Sequence, residues 1–205
     1  MTRGKFITFE GPEGCGKSTQ AKLLYQSILN RGMQAILTRE PGGLPEGEAI
    51  RTILKSPEYH LTNLAQMYLF SASRNMFVKR LVKPNLENGV HVLADRFTDS
   101  TRAYQGWGGG GDLERIDNLI AESTEGISPD LTIMIDIDPV EGLAKEVEDS
   151  SFSRLGIEYH KRVRTGYLEI AKQNPERCLV IPYKPGEIEG THLYILEQVK
   201  DRLHL

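Results

Sequence analysis

The stretch "KFITFEGPEGCGKSTQAKLLYQSIL", residues 5–29, decides how the rest of the chain is read. Three glycines, a lysine and two hydroxyls crowd residues 11–19, and Gly11, Gly16, Lys17 and Ser18 fit G-x-x-x-x-G-K-[ST]. A loop of this kind turns its backbone N–H groups inward around phosphate oxygens. Lys17 then reaches the β/γ-phosphates, and the Ser18 hydroxyl holds Mg²⁺. Gly11, Pro12, Glu13, Gly14, Cys15, Gly16, Lys17, Ser18 and Thr19 are therefore the expected ATP-binding loop. A tight turn is the plain alternative, and context decides against it. "KFITFE" before the loop is strand-like, whereas Ala21, Leu24, Tyr25 and Ile28 after it have helical spacing. Strand, loop and helix in that order are the setting in which the motif binds a nucleoside triphosphate.

At 205 residues the chain is expected to form a single domain with a core of its own. A net charge of −3, without a long run of either sign, speaks against a nucleic-acid groove or a membrane surface. The two cysteines, Cys15 and Cys178, have no metal-ligand spacing and make a disulfide framework implausible. The chain enters strand-like sequence at once, which leaves no room for a signal peptide, and no apolar stretch has the length of a membrane span. The expected compartment is the cytoplasm.

Short apolar runs alternate with longer helical patterns. Strands are expected over residues 5–10, 33–38, 90–95, 131–136 and 178–182, and helices over 18–30, 47–55, 61–87, 113–122, 158–173 and 190–203. Pro84 should kink or end the third helix early. Strands separated by helices imply an α/β fold, a five-stranded parallel sheet flanked by helices in three layers. The glycine run "GWGGGG", residues 106–111, reads as a flexible connector.

In an open α/β sheet, ligands gather beyond the carboxyl ends of the strands. After the second strand comes "TREPGG", where Arg39 and Glu40 enter a Pro-Gly turn. After the third comes "ADRFTDSTRAYQG". Asp95 ends an apolar strand with a carboxylate, suited to organising Mg²⁺ beside the phosphate loop, and Arg96 adds a planar fork suited to phosphate. A strand-end ion pair is the bland reading of these two. Ser100, Thr101, Tyr104 and Gln105 supply hydroxyl and amide groups along one short helical segment, a surface able to hydrogen-bond a planar polar ligand. Phe70 and Arg74, four apart, share a helix face and could stack on and bond the edge of a nucleobase; singly they are a core aromatic and a solvated charge.

Together "FEGPEGCGKST", "TREPGG", "GEAIR", "LFSASR", "DRFTDSTRAYQG" and "IDIDP" resemble the thymidylate kinase family, in the same order and spacing from residue 5 to residue 138. The resemblance implies a nucleoside-monophosphate-kinase fold, phosphorylation of dTMP by ATP with Mg²⁺, and a homodimer packed through helices. It implies that Phe70 stacks on thymine while Arg74 and Gln105, with Thr101, read its polar edge. Arg39, Arg51 and Arg96 would surround the dTMP phosphate with Ser100 nearby. Glu13 would approach the deoxyribose 3′-hydroxyl, and Tyr104 would lie over the sugar and exclude ribose.

The chain departs from the family in one place. Its phosphate loop lacks the arginine that some members carry, so the catalytic cation is expected from a mobile lid at about residues 145–156. Where the family often has "DR(F/I)E", this chain reads "SSFSRLG". Either Arg154 serves from a shifted register, or Lys145 does, or catalysis is weaker. Two other readings stay open on the residues alone: a kinase for a different nucleoside monophosphate, and a P-loop ATPase that switches a partner.

Overall fold

The computed structural model describes residues 2–146 and 150–205. Its first strand, β1 (Phe6–Glu10), is buried along its whole length. That follows from its place at the centre of a five-stranded sheet: with β2 (Ala35–Arg39), β3 (His91–Asp95), β4 (Leu131–Asp136) and β5 (Cys178–Pro182), the order is β2-β3-β1-β4-β5 and every pairing is parallel. Ile7 stands opposite Leu93 on one side and Leu131 on the other, which aligns all the strand ends at one edge.

Side-chain alternation divides the core between the two faces. Ile7, Phe9, Leu93, Ile133 and Ile135 pack with Leu24 and Ile28 of α1 (Lys17–Asn30) and with Ile195 and Val199 of α9 (Ile188–Leu203). On the opposite face, Phe6, Val92 and Ala94 meet Phe77, Val78 and Phe97, and Met134 meets Val163, Tyr167 and Ile170 of α8 (Ile157–Gln173). Glu10 continues the Phe6–Thr8 face, so its carboxyl is buried under α8 rather than in solvent.

The remaining helices are α2 (Pro45–Lys55), α3 (Asn63–Phe77), α4 (Lys83–Glu87), α5 (Thr98–Thr101), α6 (Leu113–Thr124) and α7 (Pro139–Lys145). The expected long helix 61–87 is thus interrupted. Residues Val78–Val82 widen into a π-helical turn, in which Lys83 N–H bonds back to Val78 C=O. Pro84 follows at once and has no N–H to continue the ladder, which explains the break. The second strand starts two residues later than expected, and α7 was not expected at all. Asp138 caps it by accepting from Val140 N–H at 2.9 Å, with Pro139 in the first turn.

The flexible-connector reading of 106–111 is corrected by the structure. Arg102–Gly108 form a second π-helical turn. A Cβ on Gly108 would lie 2.7 Å from Val163 and 2.8 Å from Tyr159, and one on Gly166 would lie 2.6 Å from Trp107. These glycines let α8 approach the turn closely. Three of the residues expected in the lid, 147–149, fall outside the described residues.

Candidate active site

The phosphate loop leaves β1 and ends at the first turn of α1. Gly14 has φ +67°, and a Cβ there would sit 2.1 Å from the carbonyl oxygen of Gly142, so α7 packs directly against the loop. Lys17 is buried and donates to Pro12 C=O at 3.1 Å, which draws its ammonium into the loop. Ser18 Oγ donates to Asp95 Oδ2 in a very short contact. Two hard oxygen donors in contact at a strand end fit Mg²⁺, which usually takes one or two protein oxygens and fills its shell with phosphates and water. Among the described residues no cluster of three or more His, Cys, Asp or Glu side chains could hold a metal ion.

One cleft joins this loop to a second pocket. It is lined by Glu13, Lys17, Ser18, Arg39, Arg51, Phe70, Arg74, Asp95, Arg96, Ser100, Thr101, Tyr104 and Gln105, so every residue expected around dTMP borders the same space. Arg74 is 1 % exposed, its Nη2 donates to Thr101 Oγ1 at 2.6 Å, and its Nε lies 2.8 Å from Glu40 Oε1, also 1 % exposed. That N–H is not directed at the oxygen, so charge holds the pair more than a hydrogen bond does, and Arg74 Nη1 is buried with no hydrogen-bond partner among the described residues. Burial pushes the Glu40 carboxyl up, only partly offset by Arg74. Gln105 Nε2 donates to Gln66 Oε1 at 3.0 Å. Phe70 is half-buried and tilts against Phe152, 6.2 Å between ring centres.

Arg96 has φ +72°, a left-handed backbone unusual outside glycine and typical of functional positions. Its Nη1 donates to Gly11 C=O (3.1 Å), Ser100 Oγ (3.0 Å) and Tyr167 OH (2.9 Å); its Nη2 donates to Tyr104 OH (3.2 Å). Tyr104 OH donates to Glu13 Oε1 at 2.6 Å, and His160 Nδ1 lies 3.3 Å from Glu13 Oε2. Burial opposes ionisation of Glu13, yet contact with His160 and the charges of Arg96 and Lys17 hold its carboxyl well below the usual carboxylate range. Arg39 donates to Glu48 at 3.2 and 2.8 Å, and Arg51 to Pro41 C=O at 3.2 Å.

The two lid candidates stand elsewhere. Lys145 donates to Glu141 Oε1 at 2.5 Å and lies 4.5 Å from the Tyr183 ring centre. Arg154 borders a separate hollow with Tyr59, His60 and Leu155. Neither lines the main cleft in this structure. The sequence reading also missed Glu10, Glu40, Phe152, His160 and Tyr167, all in or beside the cleft. Glu10 ends β1, the type of position that the strand-end rule singles out, and His160 and Tyr167 lie seven apart on one face of α8.

A phosphate loop on the central strand of a parallel sheet, opening into a pocket of arginines and aromatic groups, defines a P-loop nucleotide phosphotransferase. The thymidylate kinase family model matches residues 9–195, well beyond the point where the motifs become hard to follow by eye. The chain belongs to that family. A thymidylate kinase of Roseiflexus sp. is 43 % identical over 192 residues, 86 % of this chain and 85 % of its relative. One of Dehalococcoides mccartyi is 43 % identical over 201 residues, covering 97 % and 94 %. The crystal structure of thymidylate kinase from Ehrlichia chaffeensis superposes with a TM-score of 0.81 at 35 % identity, covering 97 % of this chain and 99 % of that one.

Proposed function

We infer that this chain transfers the γ-phosphoryl group of ATP to dTMP, giving dTDP and ADP. The observation that carries the reading is the single cleft in which the phosphate loop meets Phe70, Arg74 and Gln105. An oxygen of the dTMP phosphate attacks the γ-phosphorus in line while the bond to the β-bridging oxygen breaks and ADP leaves. The acceptor is already anionic, so no strong general base is needed, and positioning and charge neutralisation supply the catalysis. Lys17 neutralises the β/γ-phosphates. Ser18 and Asp95 would hold Mg²⁺, which when bound would offset charge on those phosphates. Phe70 stacks on thymine; Arg74 Nη1, with Gln105 and Thr101, bonds its polar edge. Arg39, Arg51 and Arg96, with Ser100, take the acceptor phosphate. Glu13 and Tyr104 face the deoxyribose.

The domain reading is one kinase domain over residues 1–205 with a lid at 145–156 whose cation, Arg154 or else Lys145, swings towards the phosphates. A homodimer is proposed on the exposed apolar groups of neighbouring helices, Leu64 and Tyr68 on α3 and Leu113 on α6. A cytoplasmic setting is consistent with two free, buried thiols. Supplying ATP with each nucleoside monophosphate in turn and following ADP release tests the function. Turnover with dTMP well above the others is expected, whereas hydrolysis indifferent to dTMP would refute it.

A further inference from the structure

Glu10 is fully buried at the end of β1, yet all of its oxygens are engaged. Oε1 accepts from Phe97 N–H at 2.8 Å and Ser100 N–H at 3.3 Å. Oε2 accepts from Ser100 Oγ at 2.6 Å and Tyr167 OH at 3.2 Å. Those same two hydroxyls accept from Arg96 Nη1 on their other side. We propose that Glu10 is a positioning residue for the acceptor phosphate: by drawing the hydrogens of Ser100 and Tyr167 towards itself, it turns their lone pairs to Arg96 and fixes the guanidinium that faces the phosphate.

Donors and acceptors decide how the two hydroxyls are turned. A hydroxyl has a single hydrogen, and the ionised Glu10 carboxylate beside these two is a pure acceptor. Ser100 gives its hydrogen to Oε2, and Tyr167 gives its own either to Oε2 at 3.2 Å or to Ser100 Oγ at 2.8 Å. In both arrangements each oxygen presents only lone pairs to Arg96, and the guanidinium charge is answered through hydroxyls by a carboxylate. This matters because Arg96 sits in a left-handed backbone that its surroundings must hold. Around Glu10 stand Asp99 on α5, Arg96, Tyr167 on α8, and Arg177 and Cys178 at the start of β5. Burial and the nearby Asp99 charge push the Glu10 carboxyl up to about 7, against the pull of Ser100, Arg96 and Phe97 N–H. The array is therefore set on the alkaline side of neutrality.

Glu10→Gln tests the inference sharply. Oε1 faces two N–H donors, so the carboxamide oxygen must take that place. The NH₂ then points at Ser100 and Tyr167; one of these hydroxyls can donate to the other at 2.8 Å, and the remaining hydrogen is turned towards Arg96. The inference rests on the reading that Arg96 binds the dTMP phosphate, and the measurement separates the two. dTMP and thymidine binding are followed by calorimetry on wild type, Glu10→Gln, Tyr167→Phe and Arg96→Ala, from pH 6 to 8.5. Folding is checked by thermal melts.

At pH 8, Glu10→Gln should bind dTMP about tenfold or more weakly, bind thymidine like wild type, and leave ATP binding unchanged. Tyr167→Phe, which keeps the ring, should fall between the two. The variant-to-wild-type ratio should shrink as pH drops through about 7, where wild-type Glu10 takes up its proton. Titration of dTMP itself is common to all variants and cancels. Wild-type dTMP affinity in folded Glu10→Gln, with Arg96→Ala weakened, would overturn the inference alone. An Arg96→Ala variant with undiminished dTMP affinity would instead remove the phosphate from Arg96, and the inference with it. Should Glu10→Gln not fold, an unchanged Tyr167→Phe decides against the relay.

Discussion

Glu40→Ala should destabilise the protein more than any single change on its surface. The Glu40–Arg74 pair is 2.8 Å apart with both side chains 1 % exposed, so alanine would leave a guanidinium in the interior without a counter-charge. Removing one partner of such a pair costs about 3–5 kcal/mol, against a total of about 5–15 kcal/mol for a typical domain. At 2–4 °C per kcal/mol for a chain of this length, the melting temperature should fall by about 6–20 °C. The companion experiment is the double variant Glu40→Leu/Arg74→Met. Replacing a buried ion pair by apolar groups of similar volume is often neutral or stabilising, so most of the lost stability should return. dTMP affinity should not return, because the Nη1 donor is gone. Differential scanning fluorimetry at pH 7.5 with dTMP titrations reads both quantities. A Glu40→Ala melt within about 2 °C of wild type would refute the reasoning, as would a double variant that stays as unstable as the single one.

The other expectations concern chemistry more than stability. Lys17→Met should keep the fold and less than about a tenth of wild-type turnover, since no second lysine occupies the loop; activity assays on the purified variant decide it. Phe70→Ala should raise the KM for dTMP far above that for ATP, because base stacking is worth about 1–3 kcal/mol; equal rises would make Phe70 merely a core residue. Arg154→Ala should lower kcat about tenfold or more, about 1.4 kcal/mol of barrier, with little change in KM. Lys145→Ala should do less, and the reverse ranking would transfer the role. Glu10, raised from 4.5 to about 7, also predicts a stability slope. A carboxyl whose folded pKa is raised favours the fold below its unfolded value and loses that contribution as pH rises through about 7. The difference is on the order of 3 kcal/mol, and urea titrations at pH 5 and 8 should show it in wild type but not in Glu10→Gln.

The fold was legible where local sequence and tertiary context agree. All five strands are short apolar runs between helical patterns, and the phosphate loop carries its own glycine signature. What escaped the sequence depends on distant partners. Nothing in "GWGGGG" shows that Val163 and Tyr159 will close on Gly108, or that Trp107 will pack on Gly166, because those contacts cross more than fifty residues of chain. The break after Phe77 was anticipated from Pro84 but placed too late, since the missing hydrogen bond loosens the preceding turn, not the proline itself. Ten side chains expected around dTMP do line one cleft, while the lid cations do not. The pocket residues are fixed by strand ends and helix faces, whereas residues 151–155 form turns whose register no periodicity reports.

The glutamates of the cleft share a physical reason for being where they are. A site that gathers Arg39, Arg74 and Arg96 for an anionic ligand would repel itself when that ligand is absent. Each of these arginines has a carboxylate beside it: Glu48 at Arg39, Glu40 at Arg74 and Glu13 at Arg96. Their environments differ in ways that separate their roles. Glu13 is held ionised by His160, Arg96 and Lys17, and at 3.6 Å from Arg96 Nη2 it is not tightly bound to that group, so an incoming phosphate can compete for it. Glu40 is locked on a buried guanidinium and has no such freedom. Glu10 reaches Arg96 only through hydroxyls, which lets it orient the guanidinium without occupying the face that the phosphate needs. A carboxylate in direct contact would have neutralised Arg96 and blocked it, and one set back by a hydroxyl keeps the arginine both oriented and open.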